Sequence, residues 1–126
     1  MAAQRSGLTQ ALGLMPSSSL ESIEWHDLPV TSLAVTESGF SLVVTPYVED
    51  SRSYVARALS ISDADTVQLD ITGSLRREDL GGLEISSFSY TLDSVGRISG
   101  TIRLLPGHAG FWSISFANAT WSLVEA

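Results

Sequence analysis

The chain has 126 residues, 44% of them hydrophobic, which suits one domain with one core of ordinary size. It has no cysteine, so disulfides, thiolate chemistry and cysteine-ligated metals are excluded. Fourteen acidic residues against seven basic ones, all arginine, give a net charge of -7; that balance disfavours nucleic acid and anionic membranes as partners and makes a basic protein the electrostatic fit.

Residues 1–19 read as an N-terminal arm. Leu8, Ala11, Leu12 and Met15 follow helical spacing after Ser6 as a cap, but Gly13 and Pro16 would end such a helix early. Ser17, Ser18 and Ser19 form a hinge, so a short helix that packs on something and a disordered arm are both open readings. Thr9, Gln10 and glycines interrupt the apolar stretch, which makes a poor signal peptide, and no run approaches the ~20 apolar residues that span a bilayer. The expectation is a cytoplasmic protein.

Residues 20–126 read as an all-β domain of about eight antiparallel strands, in meander and hairpins, forming a curved sheet, a sandwich or a partly open barrel. Ser22 to Asp27 is a candidate strand with Ile23 and Trp25 on one side, ended by Pro29, which cannot donate to a ladder. Ser32 to Glu37 and Phe40 to Val48 then form a hairpin around Ser38 and Gly39, which sets Val35 against Leu42 and Leu33 against Val44. Pro46 requires an edge or a bend, and residues 49–53 are a polar loop.

Residues 54–61 fit helix and strand spacing alike; strand is favoured, with Val55, Arg57, Leu59 and Ile61 on one face. After a turn at residues 62–65, Val67, Leu69 and Ile71 alternate with Gln68, Asp70 and Thr72 in a half-buried strand that Gly73 ends. Ser74 to Gly82 fits one helical turn with Leu75 and Leu80 inward.

The clearest signal begins at Phe88. Phe88, Tyr90 and Leu92 alternate with Ser87, Ser89 and Thr91; Ile98, Gly100, Ile102 and Leu104 with Arg97, Ser99, Thr101 and Arg103; Trp112, Ile114 and Phe116 with Ser113 and Ser115. Three strands therefore share one dry face. A type I turn over residues 93–97 closed by Gly96 in the left-handed region pairs Leu92 with Ile98, Tyr90 with Gly100 and Phe88 with Ile102. The next hairpin, through residues 106–110, pairs Leu104 with Trp112, Ile102 with Ile114 and Gly100 with Phe116. Gly100 is thus flanked by two rings that cover bare backbone. Phase slips between Ile85 and Phe88, and between Phe116 and Trp121, require bulges at Ser86-Ser87 and near Asn118-Ala119, hence a strongly curved sheet.

No catalytic constellation emerges, so neither enzyme activity nor a cofactor is expected. His26 and Asp27 are adjacent, and on a strand they would point to opposite faces and form no dyad. The only other histidine is His108 in a glycine-rich turn, too few ligands for a metal site. Asp63 and Asp65 begin like a calcium loop that lacks its remaining ligands. Asn118-Ala119-Thr120 matches a glycosylation acceptor, read as a chance match inside a bulge.

Ser87, Ser89, Thr91, Ser99, Thr101, Arg103, Ser113 and Ser115 form the outer face of the meander, hydroxyl-rich with a single charge. One reading is a solvated sheet face. The other is a flat contact surface for a basic protein or a second copy, with Arg103 as anchor, because it lacks the charges that guard against association. The alternative from a different class is a barrel that binds a small apolar molecule near Tyr90, Gly100, Trp112 and Phe116.

The run Trp25-His26-Asp27-Leu28-Pro29-Val30-Thr31-Ser32-Leu33, followed by Phe40-Ser41-Leu42-Val43-Val44, resembles the opening of small bacterial all-β proteins found among immunity proteins of toxin systems and families of unknown function, over residues 21–48. The resemblance implies a binding protein that neutralises a toxin, and it carries over no residue-level site.

Overall fold

The computed structural model describes residues 20–72, 82–106 and 111–126. The N-terminal arm, the expected helical turn before Gly82 and the tip carrying His108 lie outside the described residues. Among the described residues, nine strands follow a 3-10 turn at Leu20–Ser22: β1 Val30–Thr36, β2 Gly39–Val44, β3 Tyr47–Val48, β4 Ser53–Tyr54, β5 Arg57–Ser62, β6 Thr66–Thr72, β7 Glu84–Leu92, β8 Ile98–Leu105 and β9 Phe111–Glu125. All pairings are antiparallel, in the order β1-β2-β5-β9-β8-β7, with β6 also against β9 and β3-β4 a separate small ribbon. The all-β reading holds, and the sheet curls into a half-barrel.

The long strand β9 organises this curl. Its first half lies between β8 and β6, and its second half pairs with β5. Between the halves the register shifts where Ile98 meets Ala119 but Gly100 meets Phe116, and Asn118 takes a left-handed φ of 54°. The extra residue restores the inward phase, so Phe116, Ala119 and Leu123 are all buried. A second bulge, between Ile85 and Ser87, keeps Ile85 and the residues after it on the concave side. Both bulges fall where the phase slips require them.

The pairings of β7 with β8 and of β8 with β9 are those expected from the alternation and the turn. Gly96 has φ 86°, and its amide donates to the Asp93 carbonyl at 3.1 Å. Ile85, Ile98, Ile102, Leu104 and Ile114 are fully buried, as are Leu42, Val44 and Leu59 from the other half of the sheet. Trp25 caps this core edge-on to Phe88, with ring centroids 5.2 Å apart, and its indole Nε1 donates to the Leu20 carbonyl at 3.0 Å.

Three expectations need correction. Residues 22–27 are not a strand: Ile23 and Trp25 are buried, but they descend from the 3-10 turn through an irregular segment in which Asp27 has φ 65°. Two inward side chains two apart mimicked a strand period. Past Asp27 the chain does pair: the Asp27 amide donates to the Ile85 carbonyl, the Ile85 amide to Leu28 and the Val30 amide to Leu83. Pro29 sits opposite Glu84 in that ladder, which joins the two outer strands at one end of the half-barrel.

The β1-β2 hairpin is shifted by two residues. Its loop is Glu37-Ser38, and Val35 meets Phe40 while Leu33 meets Leu42. Gly39 is needed for space rather than for turn geometry, because a Cβ there would stand 2.7 Å from the backbone carbon of Ile61 on β5. A shift of two preserves the faces, so Leu42 and Val44 lie in the core and Leu33 is half-buried, whereas Val35 is exposed.

Strand β6 is less buried than its alternation suggests. Leu69 and Ile71 are 43% and 47% exposed although they share the face of Ile114 and Trp112, their register partners. The favoured strand over residues 54–61 is present, broken at Val55 and Ala56 into β4 and β5. Pro46 falls at the bend between β2 and β3, and the Val55 amide donates to its carbonyl at 3.1 Å.

Candidate functional site

The convex face of the meander is built by register. Ser87, Arg103, Ser113 and Asp70 form one row across β7, β8, β9 and β6, and Ser89, Thr101, Ser115 and Gln68 form the next. Thr91 and Ser99 begin a third. Period-2 alternation puts all of these on the face opposite the buried isoleucines. The hydroxyls of Thr101 and Ser115 lie 3.0 Å apart, and Ser99 Oγ accepts the Asn118 amide at 2.9 Å. Part of the hydroxyl set therefore satisfies itself and leaves a flat surface. All seven principal candidates, Ser89, Thr91, Ser99, Thr101, Arg103, Ser113 and Ser115, share this face.

Sequence reasoning missed the apolar corner of this surface. Leu105 and Phe111 stand on the same side as Arg103 and are 38% and 46% exposed. With Ser86, Arg103 and Ser113 they line a depression of about 390 Å³. The signal was in the sequence: Leu105 is the odd-numbered position at which the polar alternation of β8 lapses. Among the described residues Arg103 forms no ion pair.

The alternative constellation is divided by the core. Trp112 and Phe116 are buried, Phe116 against Phe40 at 5.6 Å between centroids and 6.4 Å from Phe88. Gly100 lies between Tyr90 and Phe116 as expected, and the backbone of β7 fills the space a Cβ there would take. Tyr90 is half-buried against Phe88, and burial, then Glu21, raises its phenol pKa above the ordinary value. Trp112 and Phe116 thus belong to the core, while Tyr90 and Gly100 line a shallow depression of about 350 Å³ on β7 and β8.

His26 and Asp27 come closer than strand geometry allows, and the sequence expectation is wrong here. The left-handed φ of Asp27 turns its carboxylate back to 3.3 Å from His26 Nε2. His26 Nδ1 lies 2.7 Å from the carbonyl oxygen of Ser86, the bulged residue that has no register partner on β8. The Ser86 carbonyl, then Asp27, raises the histidine pKa, with lesser contributions from Glu24 and Glu84. When protonated, the ring donates from both nitrogens, to the Ser86 carbonyl and to the Asp27 carboxylate. It clips the irregular segment to the bulge.

At the other end, Arg97 ties the hairpin to the bend of β9. Its Nε donates to Asn118 Oδ1 at 2.7 Å, and its terminal nitrogen to the Asn118 carbonyl and to the Asp63 carbonyl at 3.0 Å. Asn118 Nδ2 in turn donates to Asp65 at 2.8 Å. Asp63 and Asp65 thus serve a turn and a bridge. Both ends of the Asn118 amide are engaged, in keeping with its reading as a bulge residue rather than a glycan acceptor. Among the described residues no three His, Asp or Glu side chains converge to hold a metal ion, and no helix is long and apolar enough to cross a membrane.

Compared with family models, curated proteins and solved structures, the chain finds no significant match in any of the three. The fold and the convex face define it as an all-β half-barrel with a polar, weakly charged outer sheet surface.

Proposed function

We propose that this protein is a non-enzymatic binding module that captures a basic protein partner on the convex face of β6 to β9, in the manner of an immunity protein, and that it acts in the cytoplasm. The observation that carries the reading is the juxtaposition of Arg103, Leu105 and Phe111 in one depression within rows of hydroxyls. Arginine and aromatic side chains are enriched at interface centres, and a polar rim excludes water around them. Acidic residues flank this surface at both ends: Glu24, Asp27 and Glu84 around His26, and Asp63, Asp65 and Asp93 around Arg97. A basic partner would be drawn to that rim before docking on the neutral centre.

The test captures the basic partner from a lysate of the source cell and measures its association by stopped flow at low and high salt. The on-rate should fall steeply as salt screens a charge of -7 over a Debye length of about 10 Å at 0.1 M. Ser99→Lys with Thr101→Lys should abolish binding and leave the fold intact. Equal binding by wild type and double variant overturns the reading; stoichiometric uptake of an apolar fluorescent probe would favour the ligand-binding barrel instead.

A further inference from the structure

Strand β6 is an edge. It pairs with β9 along its whole length, Thr66 to Ala117 through Thr72 to Phe111, and no described residue pairs with its other side. It carries little of the usual protection of an edge: one charged residue, Asp70, and no proline, lysine or bulge in seven residues. Its face toward the concave side, Leu69 and Ile71, is exposed.

The sequence of this edge reads nearly the same in both directions: Thr66-Val67-Gln68-Leu69-Asp70-Ile71-Thr72. We propose that β6 pairs antiparallel with β6 of a second copy about a two-fold axis at Leu69, joining the two half-barrels into one continuous sheet. In that register Leu69 faces Leu69, Val67 faces Ile71 and Thr66 faces Thr72. The one charged residue, Asp70, meets Gln68 of the second copy and never another Asp70. Within the single chain Gln68 Nε2 already donates to Asp70 Oδ2 at 3.3 Å, so both groups lie on the convex side and are matched in chemistry. An isologous contact demands this kind of self-complementarity, and the polar pair selects the register while the apolar row supplies the burial.

Neighbouring registers are worse. A slip by one residue opposes apolar and polar faces, and a slip by two places Asp70 directly across from Asp70 or leaves Gln68 without it. Each copy carries -7, so the two repel at long range and the dimer should tighten as salt is added. That is opposite to the salt response of capturing a basic partner, so the two ideas fail separately.

The experiment is sedimentation velocity on the full chain from micromolar to millimolar concentration, with Gln68→Asp and Gln68→Lys. The wild type should show a monomer-dimer equilibrium. Gln68→Asp puts like charges opposite each other twice per interface and should weaken it roughly tenfold, while Gln68→Lys creates two opposed ion pairs and should tighten it by a similar factor. Both substitutions are on an exposed position, and hydrogen exchange of residues 66–72 reads the same edge directly, with protection rising with concentration. A chain that stays monomeric throughout, including as Gln68→Lys, overturns the proposal. So does a dimer whose affinity neither variant moves.

Discussion

The carbonyl oxygen of Ser89 occupies the space a Cβ on Gly100 would need, and Tyr90 Cα stands only 2.8 Å from the same point. The obstacle is backbone on both counts, so no rotamer change relieves it. Gly100→Ala should therefore destabilise the domain by roughly 1–3 kcal/mol, and Gly100→Val by more, through overpacking at the β7-β8 contact. Urea denaturation measures this. An unchanged midpoint would mean that the two strands can separate without loss.

Gly96 fails for a different reason. Nothing lies within 4 Å of its missing Cβ, but its φ of 86° is a conformation that L side chains rarely adopt. Gly96→Ala should cost about 1 kcal/mol through backbone strain alone, and Gly96→Asn less, because asparagine tolerates the left-handed region. Comparing the two variants by thermal melting separates strain from packing, which would order them the other way.

These two glycines were legible for different reasons than Gly39 was not. Alternation across β7, β8 and β9 fixes both faces, and the Asp93 to Arg97 turn fixes register, so two local signals agree on one answer. At Gly39 the local pattern points to turn chemistry, whereas the cause is the approach of Ile61, 22 residues on in the chain. Residues 22–27 failed because Ile23 and Trp25 are both inward without a ladder between them. The hydroxyl rows of the candidate site were visible as a period. Their extension to Gln68 and Asp70 was not, because it depends on β6 lying beside β9, a long-range pairing that no local pattern encodes.

His26 gives a pH prediction. Its pKa is raised from 6.5, first by the Ser86 carbonyl and then by Asp27, so the folded protein holds this proton more tightly than the unfolded chain does. The stabilisation is fully present below the unfolded value and is lost as pH rises through the folded one. NMR titration of the ring protons should give a midpoint above 6.5 in the wild type. Asp27→Asn should lower that midpoint without returning it to the unfolded value, because the larger cause, the carbonyl, remains. A wild-type midpoint at or below 6.5 would contradict the clip.

The binding energy of the convex face should be concentrated in one corner. Arg103 is flanked in its row by Ser87 and Ser113, neutral groups that solvate well and contribute little when buried, whereas Leu105 and Phe111 offer apolar area already exposed to water. Truncating Phe111 to Ala or Arg103 to Ala should therefore weaken capture of the basic partner by about 1–2 kcal/mol each, while Ser87→Ala and Ser113→Ala stay within about 0.5 kcal/mol. None of the four should shift the melting temperature much: Arg103 and Phe111 are exposed, and no hydrogen bond to the hydroxyl of Ser87 or Ser113 holds the fold among the described residues. The distribution matters more than any single value. Arginine at the centre is compatible with a basic partner because its planar group packs on aromatic and carbonyl surfaces, leaving long-range attraction to the acidic rim. Loss of affinity should accordingly appear in the off-rate for Phe111→Ala and in the on-rate for neutralised rim residues such as Glu24→Gln and Asp63→Asn, and surface plasmon resonance on the same set of variants reads both. Energy spread evenly over the serines, or an on-rate indifferent to the rim, would place the contact on some other face.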